Sequence, residues 1–345
     1  LRRWLAPAWC ASGAPARALR QSAGRAVILM YHTIVDQPDR SRGAWAIEHA
    51  RDAFRRQMTF VRERMNPLPL SELVDRLASH RPLPPNAIAI TFDDGYEDNY
   101  SYAYPVLKDL EIPATIYLTT GHLETRKTFW WDAISGMMAT TSEKQLDLAE
   151  LARKLGLPNP LEGAISLRTI DERQQAADYV SGIFKAARLT LRPGAVDAVA
   201  ELLRVSEIPQ GPPMLTWKQI AEMRGHGIDF GAHTISHPDL TELSDTDALE
   251  EIDGSKQEIE SRLRAPVTTF AFPYGTEHHW TPSLARIAQR IGFRSVVSAD
   301  TGFVDGSSDL HRLRRITLPR GRAESVWTIC KHLTQPGTAA AQEVA

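Results

Sequence analysis

The sequence predicts an α/β fold in which parallel strands alternate with helices, and three observations predict it. Short apolar, β-rich runs recur at 26–31, 86–92 and 114–118 and again at 267–271, 293–297 and 313–318. Such near-continuous apolarity is what a strand covered on both faces requires. Amphipathic patterns at helical spacing separate these runs. The rhythm breaks once, over residues 127–210, where helical patterns follow one another with little strand signal.

Ala26-Val27-Ile28-Leu29-Met30-Tyr31 predicts the first strand. A helix over 54–64 follows, with Asp52 as the cap of its acidic start, and a second helix begins at Leu70. The run Asn86-Ala87-Ile88-Ala89-Ile90-Thr91-Phe92 is the next strand, then a helix over 100–110 and a strand over 114–118. Within 127–210, helical patterns cover 146–155, 170–187 and 195–203, punctuated by Gly and Pro. A stretch that long is not a structureless connection, and it predicts a mainly helical unit beside or over the carboxyl ends of the strands. Helices over 217–224, 248–262 and 282–291 then alternate with strands ending at Gly231 and covering 267–271, 293–297 and 313–318, and a last helix over 323–333 packs outside. The expected organisation is an N-terminal arm over 1–25, a core from 26–126 and 211–335, the insertion 127–210, and a C-terminal tail over 336–345.

At 345 residues the chain is long enough for one core with a sizeable insertion. Lys plus Arg number 40 against 42 Asp plus Glu, a formal net charge of -2, so no basic bias points to nucleic acid. The opening Leu1-Arg2-Arg3-Trp4-Leu5-Ala6-Pro7-Ala8-Trp9-Cys10 is too short and too broken by proline to cross a bilayer, and no other stretch approaches 18 apolar residues. With no export signal visible the cytoplasm is the default compartment, although a chain beginning with Leu is compatible with a trimmed signal. Cys10 and Cys330 lack neighbouring cysteines, which argues against a thiolate-rich structural metal site.

Two short motifs carry chemistry. Thr91-Phe92-Asp93-Asp94-Gly95 closes a strand, so Asp93 and Asp94 are delivered into a loop at its carboxyl end, where both carboxylates can converge on one site. His233-Thr234-Ile235-Ser236-His237 places two imidazoles four residues apart; a helical turn there would put both on one face. Two histidines and one carboxylate hold a divalent ion and leave a position open for water, with the second carboxylate beside it as a base. That donor set favours Zn²⁺ and also suits Co²⁺, Ni²⁺ or Fe²⁺. The residues alone do not say which aspartate is the ligand.

These motifs resemble those of the polysaccharide deacetylase family, carbohydrate esterase family 4, with Thr-Phe-Asp-Asp-Gly as the first and His-Ser/Thr-x-x-His as the second. The resemblance extends over most of 26–120 and 214–320, including Met30-Tyr31-His32 and Phe270-Ala271-Phe272-Pro273-Tyr274-Gly275. It implies a distorted (β/α)7 barrel, here with a mainly helical insertion. It also implies that Asp93 is the catalytic base and that Asp94, His233 and His237 hold the metal. Two positions depart from the family pattern. Ala271 stands where many members carry an arginine paired with the base; the exopolysaccharide and surface-polysaccharide type of the family resembles this variant, with Phe-Ala-Tyr-Pro-Tyr-Gly in place of the arginine motif, and Arg290, Arg294, Arg314 and Arg315 are the candidates to orient Asp93. The late Leu-x-His is replaced by Arg312-Leu313-Arg314-Arg315-Ile316, which leaves His32, His278, His279 and His311 as candidates for the acid.

The activity this implies is N-deacetylation of an amino sugar, with Asp93 as base, His32 among the acids, and Tyr274 as a source of a backbone N–H for the developing oxyanion. An O-acetyl sugar esterase and an inactive carbohydrate-binding homologue are the alternatives. Trp130, Trp131 and Trp280 are candidate sugar-stacking residues. The expected substrate is an N-acetylated saccharide, lipid-linked sugar or glycoconjugate, and the apolar faces of the inserted helices offer a surface for self-association.

Overall fold

Seven parallel strands close into a barrel in the computed structural model, which describes residues 24–36, 48–188, 194–319 and 322–334. They are β1 (Arg25–Tyr31), β2 (Ala87–Phe92), β3 (Ala114–Leu118), β4 (Ile228–Ala232), β5 (Thr269–Ala271), β6 (Ser295–Thr301) and β7 (Leu313–Thr317). Each pairs with the next in sequence, and β7 returns to β1 through Leu29↔Ile316 and Met30↔Thr317. The ring is uneven. β1 and β2 share six register pairs from Ala26↔Ala87 to Tyr31↔Phe92, whereas β4 and β5 share the single pair Phe270↔Ala232, and the β6–β7 register shifts between Val297 and Thr301.

Side chains alternate across each strand, and this parity positions the site. On β1, Ala26 and Ile28 face the same interior cluster as Ala87 and Ala89 of β2, Ala271 of β5, Val297 of β6 and Leu313 of β7. Val27, Leu29, Tyr31, Ile88, Ile90 and Phe92 face outward into the layer beneath the helices. Continued by two, the interior rows arrive at Met30 and His32, at Thr91 and Asp93, at Ala299, and at Arg315.

Among the described helices, α1 (Arg51–Arg64) buries Ala53, Phe54, Met58 and Val61 against the outer layer. Its N-cap position is Ala50, with Asp52 inside the first turn, so Asp52 acts on the helix dipole and does not cap. The apolar stripe Leu70, Leu73, Val74 and Leu77 of α2 (Leu70–Ala78) joins the interior cluster beside Ala26 and Ala87, at the amino ends of the strands. Where one helix was expected over 100–110, a π-helical turn at Asn99–Ala103 leads into α3 (Tyr104–Asp109).

Between β3 and β4 lie α4 (Trp130–Thr140), α5 (Leu148–Lys154), α6 (Ile170–Ala186) and α7 (Ala195–Leu202). They enclose a cluster of their own that includes Ile134, Met137, Met138, Leu151, Val180, Phe184 and Val199. α4 escapes sequence reading because it is covered nearly all round, burying Trp131, Asp132, Ala133, Ile134, Ser135, Met137 and Met138, which erases a 3.6-residue stripe. An antiparallel pair, Gln145–Asp147 with Ala164–Ser166, was also unexpected, three residues being too few for a period to show.

The remaining helices are α8 (Trp217–Arg224), α9 (Asp245–Leu263), α10 (Pro282–Ile291) and α11 (Arg322–Thr334). The expected N-terminal arm up to residue 23, Cys10 within it, and the expected tail 336–345 lie outside the described residues. No helix among the described residues is long and apolar enough to cross a membrane.

Candidate metal centre and catalytic cavity

The cavity opens at the carboxyl ends of the strands and is lined by Met30, His32, Asp93, Asp94, Tyr96, Trp131, Lys185, His233, His237, Phe272, Tyr274, Ala299 and Arg315. Asp93 follows the last residue of β2, its amide held by the Tyr31 carbonyl at 2.9 Å, and keeps the interior parity of Thr91. The chain then turns left-handed, with Asp94 at φ 74 and Gly95 at φ 84, so two neighbouring carboxylates reach one cavity where a continued strand would have sent them apart. A left-handed non-glycine residue is disfavoured, and it persists here because the Asp94 carbonyl is tied to the Thr119 amide at 3.3 Å.

Asp94 Oδ1 lies 3.5 Å from His233 Nε2 and 3.5 Å from His237 Nε2. That is long for a hydrogen bond, and it is the spacing of donors around a common centre: on a tetrahedral shell with zinc–nitrogen distances of about 2.0–2.1 Å, neighbouring ligand atoms lie about 3.4 Å apart. Asp94 Oδ1 is buried without a hydrogen-bond partner. His233 Nδ1 meets the Ala271 carbonyl at 2.8 Å, which commits that nitrogen to donation and turns the Nε2 lone pair toward Asp94. The three residues therefore fit a divalent ion.

Burial raises the Asp94 carboxyl, but His233, His237 and His32 together outweigh it and hold it well below the usual carboxylate range. Burial lowers His237 to about 3, keeping it neutral, as a ligand must be. For His233 burial is outweighed by Asp94 and Asp93, and its pKa rises.

The histidine motif is not helical. His233 to His237 form a loop after β4 with Thr234 at φ 66 and His237 at φ 61, and Thr234 Oγ1 accepts the His237 amide at 3.0 Å. Glu251 of α9 braces it: Oε2 accepts the Ile235 and Ser236 amides, each at 2.9 Å, and Oε1 accepts the Ser236 hydroxyl at 2.7 Å. On the other flank the Gly121 amide donates to the Ile235 carbonyl at 2.8 Å, where a Cβ on Gly121 would sit 2.6 Å from that oxygen. Nothing in the five-residue motif announces Glu251; its contact with the loop is made only when α9 packs beside β4.

Arg315 answers the missing arginine. Fully buried, it donates from Nη1 to Asp93 Oδ1 and from Nη2 to Asp93 Oδ2, both at 2.7 Å, while Nε donates to the Ser298 carbonyl at 2.8 Å and Nη1 also reaches Thr91 Oγ1 at 3.2 Å. Burial alone would raise Asp93; the guanidinium outweighs it and the pKa falls. The other three candidates face away: Arg294 pairs with Asp75 on the exterior, Arg290 is exposed, and Arg314 has the opposite parity on β7. That parity was readable, since Leu313 and Arg315 share a face.

Residues 80–153 and 174–296, more than half of the chain, match the polysaccharide deacetylase family model. The chain belongs to the polysaccharide deacetylase family. Among its relatives are the Bacillus subtilis (strain 168) protein YxkH, 21% identical over 240 residues that make up 70% of this chain and 54% of YxkH, and the Escherichia coli (strain K12) poly-beta-1,6-N-acetyl-D-glucosamine N-deacetylase, 23% identical over 125 residues, 36% of this chain and 16% of that protein. The chain thus spans about half the length of one curated relative and a smaller share of the other. Two solved structures share the fold: the Streptococcus pyogenes deacetylase PplD in complex with acetate (TM-score 0.58, 21% identity, 90% of this chain and 99% of that one) and IcaB from Ammonifex degensii (TM-score 0.58, 19% identity, 90% and 98%). The seven-stranded barrel expected from the resemblance is the fold this chain has.

The other sequence-named residues divide. His32 lines the cavity with Nε2 4.0 Å from Asp93 Oδ2, and its buried Nδ1 has no partner. His278 is exposed, His279 bonds Thr276 at 2.6 Å, and His311 bonds the Phe293 carbonyl at 3.1 Å, so none of these three lines the cavity. Tyr274 lines it in a left-handed conformation, φ 59, beside His237 at 4.8 Å between ring centres. Trp131 lines it too, 5.0 Å from the His237 ring and donating to Tyr96 Oη at 3.1 Å. Trp130 and Trp280 stand behind it: Trp130 donates to Tyr274 Oη at 2.9 Å, and Trp280 stacks on Phe272 beneath the Arg312 guanidinium.

Proposed function

We propose that this chain is a divalent-metal-dependent deacetylase that removes the N-acetyl group from an amino sugar in a saccharide or glycoconjugate. The observation that carries the reading is Asp93, a buried carboxylate clamped in two parallel hydrogen bonds by Arg315, next to an unpartnered Asp94 oxygen shared between two histidines. Asp94, His233 and His237 would hold the ion, zinc by preference of the donor set and Co²⁺, Ni²⁺ or Fe²⁺ as alternatives. When bound, such an ion lowers the pKa of water and polarises the acetyl carbonyl.

Asp93 accepts a proton from the attacking water as its oxygen adds to the acetyl carbon. Arg315 keeps Asp93 ionised and fixes the plane of its carboxylate. The same charge weakens it as a base, so its contribution comes through orientation as well as proton affinity. The Tyr274 segment supplies a backbone N–H toward the developing oxyanion, and its left-handed backbone is the kind of strained geometry that a functional loop holds. His32 faces the same space as Asp93 and returns a proton to the departing amine nitrogen, giving acetate and a free amino sugar.

The experiment is acetate and amine release by the zinc-loaded protein from short N-acetylglucosamine oligomers, run beside an O-acetylated sugar. Release from the N-acetylated oligomer supports the proposal. Release only from the O-acetyl sugar replaces it with an esterase, and binding without any release replaces it with a carbohydrate-binding role.

A further inference from the structure

We infer, building on the saccharide reading proposed above, that Lys185 of the helical insertion is a specificity-determining residue whose ammonium donates to hydroxyl oxygens of the sugar bearing the acetamide. Lys185 is the penultimate residue of α6 and lines the cavity with Asp94, His237 and Tyr274. A lysine at a helix end ordinarily extends its ammonium into water. Here the group is half-buried, with Nζ 5.3 Å from the centre of the Tyr274 ring, and burial pulls its pKa down.

Its neighbour holds it there. Phe184 is fully buried and stacks on Trp130 with ring centres 5.6 Å apart, and Trp130 donates to Tyr274 Oη at 2.9 Å. The end of α6 is thereby tied to the tyrosine over which Lys185 lies. An ammonium carries three hydrogens and can serve more than one acceptor at a time. Arg315, the other Lys or Arg among the described residues that line the cavity, is committed to Asp93, Thr91 and Ser298.

The surroundings select a neutral acceptor. Asp239 bears electrostatically on Lys185, Glu242 lies 4.0 Å from Arg188, and His279 is 3.8 Å from Asp239. Charges of both signs lie near this ammonium, and a phosphate or carboxylate on the sugar would meet the negative charge of Asp239 as well. A hydroxyl meets no such repulsion.

The test uses the metal-loaded protein with an N-acetylglucosamine tetramer and with para-nitrophenyl acetate, which carries an acetyl group and no sugar. Turnover of the ester without the tetramer would strike the saccharide reading itself. Given tetramer turnover, Lys185→Ala should raise its KM roughly tenfold to a hundredfold, the range for a hydrogen bond from a charged donor, with a smaller change in kcat. Selectivity for tetramer over ester should fall by the same factor, and Lys185→Arg should recover part of it. In the Asp93→Asn protein, calorimetric titration with the tetramer should weaken by a like factor when Lys185→Ala is added. An unchanged KM, or equal losses on tetramer and ester, overturns the inference. A loss confined to N-acetylglucosamine 1-phosphate, sparing the tetramer, overturns the neutral acceptor.

Discussion

The barrel and its insertion meet at one cavity but hold their side chains there by different physics. On the barrel side the groups are buried charges and imidazoles, and several are held by a partner on a strand or on a helix packed beside it: Arg315 on Asp93, the Ala271 carbonyl on His233, Glu251 of α9 on the histidine loop. On the insertion side the contacts are aromatic faces, the neutral hydrogen bonds from Trp130 to Tyr274 and from Trp131 to Tyr96, and one bond to a buried carboxylate, from Tyr96 to Asp132 at 2.8 Å. Its apolar faces close on a core of its own. Removing a partner from a buried charge is costly, whereas removing one neutral contact is not. On the proposed function, the barrel side is expected to be intolerant of substitution and to carry the chemistry, and the insertion side to tolerate more and to bear on selection.

The largest effect that could break this division is at the proposed metal ligands. His233→Ala and His237→Ala should lose bound metal and drop turnover to background, with metal analysis as the readout, while insertion variants keep full stoichiometry. Chelation should silence the protein and leave it folded; melting on chelation would make the centre structural.

Next comes Asp93→Asn, which should retain metal and lower kcat by about 10²–10⁴-fold, the usual worth of a general base. Near-normal turnover would move the base elsewhere. Arg315→Met leaves the Asp93 carboxylate buried and unpaired, and denaturant unfolding should show a loss of about 3–5 kcal/mol. Adding Asp93→Asn to it should restore much of that stability and none of the activity, a coupling that a purely packing role for Arg315 would not produce.

Smaller effects sharpen the boundary. Glu251→Ala should weaken metal affinity about 10- to 100-fold by freeing the histidine loop, with little change in melting temperature, measured by competition with a metal indicator. Trp130→Phe removes one hydrogen bond to Tyr274, worth about 0.5–1.5 kcal/mol, and should appear as a several-fold rise in KM with metal content intact. A collapse of kcat in that variant would place the insertion within the chemistry.

The order of strands and helices was legible because each barrel strand is buried on both faces and reads as an apolar run. α8 and α10 coincide with the expected spans, and β3 does too. α4 was not legible, since burial on every side leaves no stripe, and the short strands flanking α5 were too brief to show a period. Within the site, the carboxylate pair and the two histidines were visible as motifs because their neighbours in sequence are their neighbours in space. The helical turn expected of the histidines was wrong: Thr234 and His237 adopt left-handed conformations that a local spacing rule does not anticipate.

By itself the sequence determined the parallel alternation of strands and helices and displayed the two motifs whose residues line the cavity, because apolar periodicity and local motifs are written in neighbouring residues. Only the tertiary structure decided that Arg315, and not three other arginines, meets Asp93 across a separation of 222 residues, that Glu251 braces the histidine loop, and that α6 lays Lys185 over Tyr274. Those choices follow from barrel closure and strand register, which set which interior rows face one another, and from the packing of α6 and α9 against the cavity.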